Sequence, residues 1–333
     1  MRWALVAGLC GGLGLTILLL LHFGAPAVAA AVGAAGLAGL AIIAAAHLAS
    51  IGLMGIAWWL LASGTGKPQV FIWARLMRDS AAEVLPLSQV GGYVLGARTL
   101  VLHNIGAAIA VASTLVDLTL EMAAQIVYTG FGLGFLFWLR PTTTLAAPVA
   151  IGLLLAVAAV FAFVVVQRRG AIIFERLGSW FAGDRLVAFA VSAEAVQASI
   201  RDLHGRGGSL QASLMLHLAA WFASGAEAWL ALKLMGAPLG IAPVLALESL
   251  LYAIRSAAFL VPNAIGVQEG AYVVLGASFG LAPDFALGLS LLKRGRDLLL
   301  GIPALLAWQL FESRRLWRRR SLATKGESIR RAD

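Results

Sequence analysis

The sequence predicts an all-α, polytopic integral membrane protein, and two observations carry that prediction. Hydrophobic residues make up 61% of the 333 residues and charged residues only 12%, against roughly 25% charged residues in a soluble domain. Several windows hold about 20 apolar residues in succession, which is the length that a helix needs to cross a hydrocarbon core of about 30 Å. A soluble fold could not cover so much apolar surface, so we expect the helices to contact lipid.

The first two predicted helices occupy residues 3–21 and 37–61. A single arginine, Arg2, precedes the first one, as in a secretory signal peptide. The sequence that follows, "APAVAAAVGAAG", stays apolar and offers no cleavage site within a polar stretch. We therefore interpret residues 3–21 as a transmembrane helix. The second helix ends near Trp58 and Trp59, and tryptophan is typical of the membrane interface.

A broken segment follows at residues 71–102. Residues 71–85 have helical periodicity but are unusually charged, and "PLSQVGG" separates them from a short apolar run at 93–102. Each piece is shorter than the roughly 20 residues that a span requires. We therefore predict a re-entrant hairpin here, followed by longer helices at 105–137 and 145–166.

The second half is predicted to follow the same plan. Residues 168–208 are mixed in composition and are predicted to form a cytoplasmic interfacial linker. A helix is predicted at 210–234 and a second broken hairpin at 241–280. The last helix is predicted at 284–312, in one or two pieces because "KRGRD" and Pro303 interrupt it.

Basic residues determine the predicted orientation. Arginines gather in residues 168–206 and in the basic tail, 313–333. Basic clusters beside membrane helices mark the cytoplasmic side and attract anionic lipid headgroups. We therefore expect both termini in the cytoplasm, membrane lipids as partners, and one transmembrane domain, residues 1–312, with halves at 1–167 and 209–312.

The predicted architecture contains about six full spans and two re-entrant broken helices in two inverted repeats. Eight ordinary spans are the alternative. Paired hydrophobic segments interrupted by Gly and Pro are the sequence signal of a transporter site built from inverted repeats, because broken backbone at membrane depth must face protein or water. The residues assigned to the two breaks are Pro86, Gly91, Gly92, Pro262, Asn263, Gly266 and Gly270.

Ionisable residues inside the predicted membrane helices need a partner or a function, because each costs about 2.5–3.5 kcal/mol on insertion scales. Asp117 and Glu121 lie four residues apart with the same sign, so a cation, Arg78 or Arg98, is expected between them. Helical spacing allows Arg75 to pair with Asp79 and Lys293 with Asp297, each four residues apart, and it places Glu248 and Arg255 on one helical face. The residues predicted to line a polar substrate cavity are Arg78, Asp79, Glu83, Arg98, Asp117, Glu121, Glu248, Arg255 and Glu269.

Other chemistries receive little support from the sequence. The single cysteine, Cys10, cannot form an internal disulfide, and no two of the five histidines have helical metal-ligand spacing. No metal and no cofactor are predicted. Nucleic-acid binding is not expected, since the basic residues do not belong to a soluble module with stacking aromatics.

The two broken segments resemble the paired signatures of the lysylphosphatidylglycerol synthase transmembrane-region family. The resemblance rests on "RDSAAEVLPLSQVGG" followed by an arginine, and on "SAAFLVPNAIGVQEG", and it extends over roughly residues 5–312. It is strongest to the subgroup encoded in bacterial hopanoid biosynthesis loci. The matching positions are Glu83, Pro86, Gly91, Gly92, Arg98, Pro262, Gly266, Glu269 and Gly270.

This resemblance implies a flippase or transporter of the bacterial inner membrane, with hopanoids or a related lipid as cargo. The full synthases carry a soluble aminoacyl-transfer domain. The last predicted helix ends at 312 and the chain at 333, so lysine transfer is not expected. Two alternatives remain open: a small-solute transporter coupled to protons through Asp117 or Glu269, and a membrane-embedded lipid-modifying enzyme that uses paired carboxylates.

Overall fold

The computed structural model of the protein describes residues 2–62, 65–84, 88–139, 146–169, 193–258 and 261–330. Within these ranges the chain forms eleven α-helices and no strand, so the all-α prediction is confirmed. In chain order the helices are α1 (Arg2–Phe23), α2 (Ala25–Leu61), α3 (Pro68–Val84), α4 (Ser88–Leu102), α5 (Ala107–Leu139), α6 (Ala146–Arg169), α7 (Ala193–His204), α8 (Gly207–Leu234), α9 (Ile241–Ala257), α10 (Val267–Phe279) and α11 (Pro283–Arg330).

Helices α2 and α5 are long and apolar enough to cross a membrane by length and composition. Helix α2 begins earlier than predicted, and its backbone leaves the helical region at Gly36, where φ is 62°. This kink lies one residue before the predicted start at 37. Glycine adopts a positive φ at little steric cost, so the chain can bend here and continue as a helix on both sides.

The first broken segment forms a helical hairpin of α3 and α4. Gly92 lies beside Arg78 of α3, and Gly96 lies beside Ala74, so the two helices run antiparallel. They contain 17 and 15 residues, about 26 and 22 Å at 1.5 Å per residue. Each is therefore shorter than the roughly 30 Å hydrocarbon core, as the hairpin prediction requires.

The second broken segment forms a corresponding hairpin of α9 and α10, with 17 and 13 residues. A single 3₁₀ turn, Pro262–Ala264, lies between them. Asn263, Ala264 and Gly266 all have positive φ, at 51°, 46° and 80°. Three such residues within four positions reverse the chain where neither helix could continue.

The two hairpins begin at opposite ends of the helical body. Gly39 of α2 lies beside Leu234 of α8, and His47 of α2 contacts Glu227 of α8. These contacts show that α2 and α8 are antiparallel. Since α3 follows α2 and α9 follows α8, the hairpins extend toward each other from opposite ends. The full inverted repeat and the number of spans remain predictions.

Three of the residues assigned to the breaks lie elsewhere. Gly91 and Gly92 are inside α4, and Gly270 is inside α10. The reason for glycine at Gly92 is close packing, because a Cβ there would lie 2.5 Å from the carbonyl oxygen of Arg78. Pro86 lies outside the described residues.

Most of the predicted interfacial linker also lies outside the described residues. Its described part includes α7, which packs Val196 and Ile200 against Ala112 and Val116 of α5. The apolar face of α7 therefore contacts protein. Residues 171–190, where the amphipathic spacing was read, lie outside the described residues, so the interfacial position of the linker stays a prediction.

The last helix was predicted to end at 312 and to form one or two pieces, with "KRGRD" and Pro303 as interruptions. Instead α11 continues from Pro283 to Arg330 with Pro303 inside it, so the helix extends into the predicted basic tail. The charges of "KRGRD" do not interrupt the helix because they find partners on α8, α9 and α10. With those partners, a polar stretch can remain helical inside an apolar body.

Candidate functional site

Six buried or half-buried groups of charged side chains lie within the described helices, and the largest joins α3 to α5 and α8. We call it the deep cluster: Arg75, Arg78, Asp79, Asp117, Glu121 and His217. Arg75 donates to both oxygens of Glu121, over 3.0 and 2.7 Å, and its Nε donates to Asp79 over 2.8 Å. The first contact is the bidentate geometry that makes arginine–carboxylate pairs strong.

Arg78 completes the deep cluster from one turn further along α3. It donates to Oδ2 of Asp117 over 2.8 Å and also contacts Glu121. Its guanidinium lies 4.2 Å from the ring centre of Tyr93. The Nε2 of His217 lies 2.9 Å from the other Asp117 oxygen, Oδ1. The like-charged pair predicted on α5 is thus bridged by Arg75 and Arg78.

A second group, the cleft cluster, joins α2, α8 and α11 through His47, Glu227, Arg296 and Asp297. Arg296 contacts one Glu227 oxygen and donates to Asp297 over 2.9 and 2.6 Å. The Nδ1 of His47 lies 2.9 Å from the other Glu227 oxygen. No local spacing in the sequence connects Glu227 to His47 or Arg296, which lie 180 and 69 positions away.

The third group joins the two hairpins, and we call it the tip cluster: Glu83, Arg255 and Asn263. Arg255, near the end of α9, donates to Glu83, near the end of α3, over 2.9 Å. The side-chain amide of Asn263 donates to the backbone carbonyl of Glu83 over 2.8 Å. The two broken segments therefore meet at a polar contact that involves both a side chain and the main chain.

Two further pairs correct the predicted pairing. Lys293 donates to Glu248 over 2.6 Å, and Tyr272 donates to the same carboxylate over 2.5 Å. Lys293 was expected to pair with Asp297. That expectation was wrong, because Lys293 reaches a carboxylate on an adjacent helix instead. Glu248 and Arg255, which were expected on one helical face, bond to different partners, Lys293 and Glu83.

Glu269 occupies the first turn of α10. It accepts the backbone N–H of Gly266 over 2.7 Å, the Ser290 hydroxyl over 2.8 Å and Arg294 Nε over 2.7 Å. An acid at this position caps free N–H groups and complements the positive end of the helix dipole. Its contacts position the start of α10, and Glu269 does not line the cleft described next.

Arg98 was expected to bridge Asp117 and Glu121 or to line the cavity. Instead its Nε and NH2 groups donate to Glu312 of α11 over 3.0 and 2.6 Å. The neighbouring Thr99 accepts a hydrogen bond from Trp308 over 3.0 Å. These contacts attach α4 to α11.

A narrow cleft lies between α2, α3 and α11. Two of the predicted cavity residues, Asp79 and Glu83, are in its wall, together with Asp297 and His47. The complete lining is His47, Ile51, Leu76, Asp79, Ser80, Glu83, Asp297, Leu300 and Gly301. Each charged group in the wall also belongs to one of the three clusters, so the cleft lies where those clusters approach one another.

His47 and His217 were not predicted as functional candidates, because a lone histidine in an apolar helix is usually a packing residue. The sequence nevertheless shows an ionisable side chain within a predicted span at each position, and such residues are usually functional. Within the described residues, no group of three or more His, Cys, Asp or Glu side chains is placed to hold a metal ion.

Comparison with known proteins gives one match. No curated protein and no solved structure matches the chain significantly. The family described as "Lysylphosphatidylglycerol synthase TM region" matches residues 4–304, which is nearly the whole chain. This match confirms a membrane protein built of apolar helices, and the hopanoid subgroup remains a prediction. The chain therefore belongs to the lysylphosphatidylglycerol synthase transmembrane-region family.

Proposed function

We propose that the protein is a lipid flippase or transporter of the bacterial inner membrane. The observation that carries the proposal is the meeting of the two hairpins at Glu83, Arg255 and Asn263, beside a cleft lined by acidic side chains. In transporters built from paired broken helices, the substrate site lies at such a meeting point, near the middle of the bilayer. Family membership supports a lipid-related cargo.

The cleft offers a polar surface within an otherwise apolar body. The side chains of Asp79 and Glu83 are 25% and 24% exposed, so their oxygens can be reached from the cleft. With the hairpin ends apart, a lipid headgroup could enter here while its chains stay in the hydrocarbon, which would spare the headgroup much of the cost of crossing an apolar core.

The lining favours a headgroup with hydrogen-bond donors. Carboxylates accept hydrogen bonds and attract cations, so an amine or several hydroxyls would match Asp79, Glu83 and Asp297. Hopanoids remain a candidate cargo on this basis only if they carry such a headgroup. A bare polycyclic hydrocarbon would leave these charges without new partners.

The ion pair between Glu83 and Arg255 is placed to act as a gate. It crosses from one half of the chain to the other, and its two side chains are 24% and 16% exposed. Relative movement of the halves must break or lengthen this contact. Transport would then alternate between states in which the hairpin ends are joined and states in which they are apart.

The proposal is tested with the full-length protein in vesicles of phosphatidylethanolamine and phosphatidylglycerol. A trace of phosphatidylethanolamine with a fluorescent acyl chain is the probe, and an impermeant reductant bleaches only the outer leaflet. Protein should raise the bleached fraction above the outer-leaflet share. Arg255→Ala should reduce this effect, and Arg206→Ala, at an exposed pair with Asp202, should not.

The alternatives give different results in the same vesicles. A small-solute transporter would leave the probe in its original leaflet, and an enzyme would generate a new lipid species detectable by mass spectrometry. Either result would replace the flippase proposal. Leaflet-resolved lipid composition of cells with and without the protein then identifies the natural cargo.

A further inference from the structure

The charged clusters differ in their balance of charge. The deep cluster sets Arg75 and Arg78 against three carboxylates, and the cleft cluster sets Arg296 against Glu227 and Asp297. Each has one carboxylate more than its cations. Each of these two clusters also contains a histidine bonded to a carboxylate: His217 in the deep cluster and His47 in the cleft cluster.

Among the described residues, three of the other groups are balanced and have no histidine among their bonded partners. Each of the three contains one acid and one base: Glu83 with Arg255, Glu248 with Lys293, and Glu269 with Arg294. The coincidence of histidine with missing positive charge is thus specific to two groups. Because an uncompensated charge in an apolar interior is strongly unfavourable, one proton on each histidine would restore neutrality.

His217 is enclosed by charged groups from two helices. Its side chain is 0% exposed, and its Nε2 faces Asp117, which Arg78 also contacts. Glu121 and Arg75 complete the set, one turn of α5 and α3 away. The other ring nitrogen, Nδ1, is buried and makes no hydrogen bond, and neither does the buried hydroxyl of Ser213, one turn earlier on α8. When Nε2–H donates to Asp117, Nδ1 is the ring nitrogen that can take up a second proton.

His47 is placed at the cleft instead. Its side chain is 21% exposed and it forms part of the lining, while its Nδ1 contacts Glu227 over 2.9 Å. The charged groups around the His47–Glu227 pair are Arg296, Asp297 and Lys293 on α11, and Asp79 and Glu83 across the cleft. Lys293 is itself bonded to the carboxylate of Glu248. His47 can exchange a proton with the cleft, whereas His217 is closed off from it in this conformation.

We propose that the pairs His47–Glu227 and His217–Asp117 are two proton-binding sites that couple the lipid transport proposed above to a proton gradient. In each, one proton adds to the neutral imidazole and changes the charge of its cluster from minus one to zero. A cationic headgroup in the cleft would satisfy the same missing charge, so proton and cargo compete. The inference rests on the proposed function for its coupling role, and on charge balance alone for the proton sites.

The charge balance is tested first, without transport, by thermal stability of the full-length protein in detergent. His217→Gln should lower the melting temperature, because no proton can then offset the third carboxylate. Adding Asp117→Asn to this variant should restore much of the lost melting temperature, because the two arginines of the deep cluster then face two carboxylates. His204→Gln is the matched control and should change the melting temperature little, because the His204 ring bonds to the Ile200 carbonyl of its own helix. A double variant no more stable than His217→Gln overturns the proton-site proposal.

Coupling is tested in the vesicles described above, with a trapped pH-sensitive dye. One pH unit is a tenfold ratio of proton activity, so the wild type should change its lipid distribution by up to about tenfold per coupled proton. His47→Gln and His217→Gln should each lose gradient dependence, and His204→Gln should keep it. Lipid movement that ignores the gradient in the wild type overturns the coupling and leaves the flippase function standing. Absence of lipid movement in every condition overturns the flippase function, and the stability test still decides the proton sites.

Discussion

Arg255 and Glu83 are 172 residues apart in sequence, yet their side chains meet over 2.9 Å and join the ends of two hairpins from opposite halves of the chain. The pair is reinforced by Asn263, which donates to the backbone carbonyl of Glu83 and accepts from Arg255 over 3.3 Å. The contact thus connects both a side chain and the main chain of α3 to the second break.

Breaking this pair should cost about 1.5–3 kcal/mol of unfolding free energy, the range for a hydrogen bond to a charged group. We expect Glu83→Gln and Arg255→Gln each to destabilise the protein in detergent. The exchange Glu83→Arg with Arg255→Glu should recover part of the loss, because the pair is re-formed with reversed charges. If both single variants are as stable as the wild type, the hairpin ends do not depend on this contact.

Glu121 should be the most sensitive acid of the deep cluster, because it accepts from both Arg75 and Arg78 in a buried setting. Removing one partner of a buried ion pair typically costs about 3–5 kcal/mol. Glu121→Gln should therefore lower stability more than Asp79→Asn, since Asp79 is 25% exposed and contacts only Arg75 among the bonds shown. Chemical denaturation in mixed micelles measures the difference, and an inverted order contradicts the assignment of Glu121 as the centre of the cluster.

Two adjacent glycines of α4 offer a matched test of hairpin packing. A Cβ at Gly92 would collide with the Arg78 carbonyl, whereas at Gly91 it would meet nothing within 4 Å. Gly92→Ala should cost about 1–3 kcal/mol through overpacking. Gly91→Ala should be neutral or stabilising by up to about 1 kcal/mol, because alanine favours the helix. The yield and melting temperature of the two purified variants report the result, and similar values for both would count against the packing of α3 on α4.

The sequence was sufficient for features that depend on local pattern. Apolar length predicted the helical membrane fold, and interrupted segments predicted both hairpins. Helical spacing correctly paired Arg75 with Asp79. The same rule failed for Lys293 and Asp297, since Asp297 pairs with its immediate neighbour Arg296, and residues one apart do not face each other on an ideal helix.

The remaining contacts could not be predicted because they connect distant segments. Periodicity places Asp117 on a face of α5 but does not say which helix covers that face, so the approach of His217, 100 residues later, has no local signature. Charge counting along the chain also fails. The excess of one carboxylate over the cations around His47 and His217 is a property of groups of side chains that are close in space. It can be counted only when the partners on other helices are known.

The last prediction concerns the opposite directions of the two hairpins. Because α2 and α8 are antiparallel, the segments that follow them lie at opposite ends of the body: Lys67 precedes α3, and Pro238 precedes α9. Both residues are exposed. With Cys10→Ser as a thiol-free background, cysteines at these two positions should react with an impermeant thiol reagent from opposite sides of the membrane.

The basic segments predict which side of the membrane each cysteine faces. Positive charge marks the cytoplasmic side, so Lys67→Cys should be labelled only in inside-out vesicles and Pro238→Cys only in cells with a permeabilised outer membrane. Labelling of both positions from one side would mean that α2 and α8 do not cross the bilayer in opposite directions. The hairpins would then belong to one face, and the meeting of Glu83 with Arg255 could not lie at the bilayer centre. Opposite labelling with the sides exchanged would preserve the antiparallel arrangement and overturn only the orientation inferred from arginine.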